Sequence, residues 1–391
     1  FPAKLMHGHV MNLIERGVDR IFYPWVVFEK KEDKQARNSF NCPIVSGYAD
    51  VIRSSIDPAG KYGIPLDSPI VSFKDEKLLR ESLKAYLQGL GVAEKQTQIA
   101  ITNALHAQQS YLNTLERRGL QLLEEAQKTN RMVIVLAARP YHIDPLIQHK
   151  IADAIAALGI DVITENAANH QGSDVYGHVN ALCQWAYPNR IFKAAYWVGK
   201  HTYPHLHMVQ LTSFGCGPDA FILDEVRTLL QRYEKNLTVL KIDDVNNIGS
   251  LQLRVRSLVE SVKQEQKIKV QQPKIQEKWT TAIFEKEDRQ QRTILIPYFA
   301  EGYNEFIATL VGMAGYKHEC LPIGCHADAE EGLQAANNDV CYPATIVIGS
   351  ILRALKSGKY DLQHTAVAIT QTGGQCRASN YYALIKNTMV K

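Results

Sequence analysis

The segment RMVIVLAARPYHIDPLIQHKIADAIAALGIDVITEN, residues 131–166, most constrains the fold of this chain. In it an apolar run, a turn, an amphipathic stretch and a second apolar run follow one another. That order and spacing are typical of a right-handed βαβ unit, in which the two strands are parallel. A similar order recurs in RTILIPYFAEGYNEFIATLVGMAGYKHECLP. The sequence therefore predicts an α/β protein.

The length of 391 residues and the changes of pattern along the chain predict several units. We expect two or three Rossmann-like parallel-sheet units around a cleft. The segment VDRIFYPWVVF is predicted as one strand and AAYWVGK as another. The predicted ranges are residues 1–130, an α/β piece with a long helical excursion from Asp75; residues 131–262, an α/β domain; residues 263–291, a charged connector; and residues 292–391, an α/β domain that looks truncated.

Composition excludes several classes of function. A net charge of +4, without a dense basic stripe, does not indicate a nucleic acid or an anionic membrane as partner. No apolar run reaches the length of about 20 residues that crosses a bilayer, and no signal peptide is visible. A cytoplasmic protein is expected. The chain starts without methionine, and we expect it to be a piece of a longer protein.

Cysteines at predicted turns carry the strongest chemical signal. Cys216, Cys341 and Cys376 each lie between an apparent buried strand and an apparent helix. Thiolates are soft ligands for iron, and helix N-terminal N–H groups stabilise them. This pattern favours iron–sulfur chemistry in a cleft. The alternative is that each cysteine is a small buried hydrophobic residue.

Other residues allow further hypotheses. Cys320 and Cys325, in HECLPIGCHAD with two neighbouring histidines, have a spacing that could hold zinc. Cys183 is predicted to lie in the core of a helix. His142 and Asp144 follow a predicted strand, where open α/β sheets bind ligands, although a local turn bond of the aspartate explains them almost as well.

Seven phrases together resemble one family. They are FPAKLMHGHV, IFYPWVVFEKKED with NCPIVSGYADVI, ARPYHIDP, LTSFGCGPDA, NNDVCYPATIVIG and QTGGQCRASNYYALI. They resemble a component of acyl-CoA dehydratase activase-related proteins, which is itself similar to the D-component of 2-hydroxyglutaryl-CoA dehydratase and to double-cubane-cluster proteins. The resemblance spans nearly the whole chain.

The resemblance implies an iron–sulfur electron-transfer or reductase-like function. Its metal ligands would be Cys42, Cys216, Cys341 and Cys376, holding a 4Fe–4S cubane or a double cubane that an aerobic preparation loses. The partners implied are an ATPase activator module or a dehydratase subunit, with a small substrate such as a 2-hydroxyacyl-CoA, and a homodimer is one option. Relatives tend to read YPC where this chain has Trp25. A non-catalytic binding or scaffold module derived from the same family is therefore the alternative.

Overall fold

The structure of the protein is a computed structural model that describes residues 2–242, 248–265 and 284–389. Most of the predicted connector, residues 266–283, lies outside the described residues. The described chain divides into two compact units. Unit 1 contains the described residues 2–179, 183–214, 226–242 and 248–265, and unit 2 contains the described residues 180–182, 215–225 and 284–389.

The N-terminal part of unit 1 combines short parallel strand pairs with helices. Its elements in chain order are α1 (Pro2–Glu15), β1 (Ile21–Phe22), β2 (Trp25–Phe28), α2 (Pro43–Ser46), α3 (Tyr48–Ser55), α4 (Pro58–Tyr62), β3 (Leu66–Asp67), β4 (Ile70–Ser72), α5 (Glu76–Gly89) and α6 (Glu94–Thr129). Strand β1 pairs with β3, and β2 pairs with β4. The 36-residue helix α6 confirms the predicted helical excursion.

The single strand predicted over VDRIFYPWVVF is wrong. The structure has two strands there: β1 ends at Phe22, before Tyr23 and Pro24, and β2 begins at Trp25, after them. Proline has no N–H to donate and interrupts a ladder. Each half therefore pairs with a different partner strand.

The larger part of unit 1 is a four-stranded parallel sheet between helices. Its elements are β5 (Val133–Ala137), α7 (Ile151–Ala156), β6 (Asp161–Thr164), α8 (Ala186–Lys200), β7 (Leu206–Ser213), the part of α9 (Gly217–Gln231) that follows Glu225, β8 (Leu237–Ile242) and α10 (Ile248–Glu265). The strand order is β6-β5-β7-β8 and all pairs are parallel, as in doubly wound sheets. The βαβ prediction for residues 131–166 is confirmed.

The strand predicted over AAYWVGK is wrong, because this segment is the C-terminal half of helix α8. Every residue from Ile191 to Gly199 is buried. A helix that is buried on all sides has the same continuous apolar pattern as a buried strand, so periodicity alone does not separate them.

Unit 2 contains a three-stranded parallel sheet. Its elements are α11 (Asp288–Gln291), β9 (Thr293–Ile296), α12 (Tyr303–Met313), β10 (Lys317–Cys320), α13 (His326–Ala335), α14 (Tyr342–Lys356), β11 (Thr365–Val367) and α15 (Tyr381–Met389), with strand order β10-β9-β11. Its apolar core includes Phe221 from the first turns of α9 as well as Leu295, Ile348 and Leu384. The mixed α/β fold with several parallel sheets is confirmed. None of the helices in the described ranges has an apolar stretch that could cross a membrane.

Candidate functional site

The predicted ligand cysteines share one local structure, because each lies immediately before a helix. Cys42, Cys341 and Cys376 have nearly the same extended backbone, with φ/ψ of −61°/138°, −67°/144° and −62°/144°. In Cys216 the carbonyl oxygen accepts a helical bond from the N–H of Ala220 at 3.1 Å. Each cysteine thus lies where unsatisfied helix N–H groups create positive potential.

The sequence signal for two of these positions is local. Proline follows Cys42 at the first helical position and follows Cys341 at the second. Proline is favoured in the first turn of a helix, where its missing N–H costs nothing. Cys376 begins a 3-10 turn, Arg377–Asn380, that leads directly into α15.

The strand predicted directly before Cys341 is wrong. Strand β10 ends at Cys320, and helix α13 lies between that strand and Cys341. Cys341 is therefore at a helix-to-helix turn, although the helix predicted after it is confirmed as α14.

Tyr381 connects two of the cysteines of unit 2. Its hydroxyl oxygen lies 2.9 Å from Sγ of Cys341. Burial, the hydrogen bond with Cys341 and the nearby thiol of Cys376 all raise the pKa of Tyr381. The ring of Tyr381 stacks on Phe221 with centroids 5.9 Å apart and planes 8° apart. The phenol therefore joins the starts of α14 and α15 to the first turns of α9.

Arg377, at the start of the turn that leads into α15, lies beside the residue that follows the third cysteine, Cys216. Its side chain covers that residue, Gly217, so closely that a Cβ built there would lie 2.5 Å from Nη1 of Arg377. Glycine at this position lets the guanidinium lie against the start of α9. Cys216, Cys341 and Cys376 thus belong to one unit and are linked by contacts of Tyr381 and Arg377.

Cys42 and the remaining cysteines lie elsewhere. Cys42 is half-buried in unit 1, and its role as a ligand stays a prediction. Cys183 is buried, but it lies in the loop before α8 with a positive φ of 55°, so its predicted helical position is wrong. Cys320 ends β10, and the thiol of Cys325 accepts a bond from Arg353 at 3.1 Å. All seven cysteines are described, and none forms a disulfide.

Among the described residues, no three His, Cys, Asp or Glu side chains are gathered as ligands of one metal ion. Such a group of three side chains is what a single ion such as zinc needs, because its ligands all contact one centre. The thiolates of a cubane bind different iron atoms and lie further apart. The soft thiol donors of unit 2, at helix N-termini and beside a guanidinium, fit a negatively charged cluster in their chemistry.

His142 and Asp144 have structural roles at the carboxyl end of β5. The backbone N–H of Arg139 donates to Nδ1 of His142 at 3.3 Å, which leaves the proton on Nε2. Nε2 lies 3.0 Å from Oγ of Ser213 and so donates to it. A histidine in this tautomer does not activate the serine as a nucleophile. Asp144 accepts a bond from the N–H of Leu146 at 2.8 Å, which is a local turn bond.

An ion network around the buried Lys193 in unit 1 was not predicted from the sequence. The ammonium of Lys193 on α8 donates to Glu32 and Asp33 at 3.0 Å each and to Asn169 at 2.9 Å. Arg190 also donates to Glu32, at 2.9 and 2.6 Å. Burial disfavours ionisation of Glu32, but Arg190 and Lys193 outweigh it and lower the pKa of its carboxyl.

Glu165 is a second buried acid, located just after β6. Burial raises the pKa of Glu165 to about 7, against the opposing attraction of Arg190 and Arg139. The sequence offered one signal for it: Glu165 follows an apolar strand, at the sheet edge where polar side chains gather.

These features define an α/β protein with a cysteine-bearing unit. Within that class, residues 1–167 match the family described as CoA enzyme activase uncharacterised domain (DUF2229). This match supports a relation to the acyl-CoA dehydratase activase-related family. It covers Cys42, Glu32 and Asp33 but none of the cysteines of unit 2. Searches of curated proteins and of solved structures found no match.

Proposed function

We propose that Cys216, Cys341 and Cys376 bind an iron–sulfur cluster in unit 2, and that the protein is the reductase-like component of an acyl-CoA dehydratase system. The observation that carries this proposal is that three cysteines at helix starts of unit 2 lie beside two linking side chains. Tyr381 contacts Cys341, and Arg377, which follows Cys376, lies against Gly217, which follows Cys216. Thiols gathered in this way are unusual for residues that only fill a core, because Cys376 is exposed and Cys341 only half-buried.

The residues of unit 2 would supply three kinds of support. The helix starts and Arg377 place positive charge near the three thiols, which suits a negatively charged cluster. The Tyr381 hydroxyl hydrogen-bonds the sulfur of Cys341, and hydrogen bonds to sulfur tune the potential of a cluster. When bound, the cluster would supply single electrons at low potential. Three thiolates leave a cubane one coordination position for a further ligand or a substrate.

The partners follow from the domain match at the N-terminus. A CoA enzyme activase domain suggests that the protein acts together with a dehydratase. In this proposal an ATP-hydrolysing activator is the source of electrons, and the substrate is a 2-hydroxyacyl-CoA. The chain itself contains no GxxxxGK[ST] phosphate-binding loop. In the proposed system, the ATP chemistry is therefore supplied by another module.

The first test is iron and sulfide binding by anaerobically reconstituted protein. We expect about four iron atoms per chain and a broad visible absorption band, as for a cubane. Cys341→Ser and Cys376→Ser should each lose most of the band and the iron. Cys325→Ser is the matched control, because Cys325 also caps a helix in unit 2 but contacts Arg353 instead of Tyr381.

The same experiment separates the two candidate functions. Iron that is retained equally by the Cys341, Cys376 and Cys325 variants would contradict the proposed ligands. Wild-type protein that binds no iron after anaerobic reconstitution would favour the scaffold alternative.

A further inference from the structure

Helix α12 of unit 2 carries an exposed apolar stripe. The exposed fractions are 68% for Tyr303, 62% for Phe306, 50% for Leu310 and 81% for Met313. Successive spacings of three, four and three residues place the four side chains on one side of the helix. The opposite side holds the buried Asn304. A helix with an apolar surface on its outer side is normally covered by another element.

The chemistry of α12 limits what can cover it. Glu305 is the only charged residue between Tyr303 and Met313, and helical spacing places it off the stripe. An acidic or basic partner would therefore find no opposite charge on this surface. The spacing of the stripe is the a and d spacing of paired helices. A surface of this kind fits another uncharged helix face with the same spacing.

We propose that the stripe of α12 binds the same stripe on a second copy of the chain, with the two helices antiparallel. A two-fold axis that crosses the stripe midway between Phe306 and Leu310 would pair Tyr303 with Met313 of the other copy and Phe306 with Leu310. In this arrangement each aromatic side chain of one copy contacts an aliphatic side chain of the other. The two helix dipoles oppose each other, and the two Glu305 carboxylates are kept off the contact.

The exposed area is sufficient for a weak dimer. With about 200 Å² of surface on each of the four side chains, the exposed part of the stripe amounts to about 500 Å² per copy. Two copies would bury about 1,000 Å², which is where specific interfaces begin. We therefore expect a dimer that dissociates on dilution in the micromolar range.

The test is the molar mass of the chain by light scattering and sedimentation between about 1 and about 100 µM. At high concentration we expect twice the 44.0 kDa of one chain, falling to one chain on dilution. The double variant Phe306→Glu, Leu310→Glu should remain monomeric, since it places charges on the stripe. Glu305→Lys is the matched control, because it changes the charge of the same helix at an exposed residue that lies off the stripe.

Several results would overturn the proposal. A chain of 44.0 kDa at every concentration would show that the stripe does not bind a second copy. A dimer that survives in the double variant would place the interface elsewhere. If circular dichroism shows the double variant to be unfolded, Met313→Lys replaces it, because Met313 is the most exposed of the four. A photoreactive residue at 313 should crosslink to the peptide with Tyr303, and a crosslink from 313 to 313 would refute the antiparallel pairing.

Discussion

Replacing Lys193 by methionine tests how strongly the buried ion network stabilises unit 1. Methionine keeps the apolar stem of the side chain but removes three charge-assisted bonds, to Glu32, Asp33 and Asn169. The ammonium is almost fully buried, at 2% exposure, so water does not replace these bonds. Breaking a buried ion pair by removing one partner typically costs 3–5 kcal/mol, because charge is left uncompensated.

The partners that Glu32 and Asp33 keep decide where in the range of about 3–5 kcal/mol the loss of stability lies. Glu32 keeps both bonds from Arg190, and Asp33 keeps the bond from the hydroxyl of Tyr176 at 2.9 Å. We therefore expect a loss of about 3 kcal/mol rather than about 5. A domain is typically stable by about 5–15 kcal/mol, so the variant should still fold but with a much lower urea midpoint.

The assay is urea unfolding followed by far-ultraviolet circular dichroism and tryptophan fluorescence. Lys200→Met is the matched control, since Lys200 is an exposed lysine on the same helix. Its loss removes one cation–π contact with Tyr196 at 5.0 Å and should cost less than about 1 kcal/mol. Adding Asp33→Asn to the Lys193 variant removes one uncompensated charge and should recover about 1 kcal/mol. A loss below about 1 kcal/mol in Lys193→Met would refute the reasoning that the network is dry and tightly coupled.

Two further predictions concern a buried acid and a close helix contact. The pKa of Glu165 is about 7 in the folded chain, above its value of about 4.3 when unfolded, so the wild type should lose about 3 kcal/mol as the pH rises from about 4.5 to above 7. Glu165→Gln should flatten that slope in urea midpoints measured from pH 5 to 8, and an unchanged slope would assign it to other groups. A Cβ at Gly349 of α14 would lie 1.7 Å from the backbone oxygen of Asp328, so Gly349→Ala should lower stability by more than about 2 kcal/mol. Gly8→Ala, in a helix with open space around the glycine, should instead raise stability by about 0.5 kcal/mol, and equal effects of the two changes would be inconsistent with the packing of α14 on α13.

Local signals in the sequence were sufficient for much of the fold. The βαβ unit of residues 131–166 follows from alternating patterns over short distances. The helix starts after Cys42 and Cys341 follow from the adjacent prolines, which act within one turn. In each of these cases, the residues that determine the structure are neighbours in the chain.

Features that depend on contacts between distant residues could not be predicted from these local patterns. Lys193 lies 160 or more residues from Glu32 and Asp33, and the run EKKED alone is typical of a solvated loop. The segment AAYWVGK has the pattern of a strand although it is the C-terminal half of α8, because neighbours on every side bury its surface. No pattern within a short window shows which lysine of a charged chain will be buried, or which apolar run will be surrounded.

The candidate site combines both kinds of information. Each cysteine is positioned by its own helix start, but the arrangement of the three helix starts depends on Tyr381 stacking on Phe221 and on Arg377 lying over Gly217. The groups in these contacts are aromatic rings, a guanidinium and a glycine, not thiols. The core around them is formed by apolar residues such as Leu295, Ile348 and Leu384. The thiols are therefore carried by unit 2 and do not hold it together, unlike the ligands of a zinc finger. For this reason the loss of iron expected in Cys341→Ser and Cys376→Ser should occur without a matching loss of thermal stability, whereas unfolding of these variants would assign the cysteines a structural role.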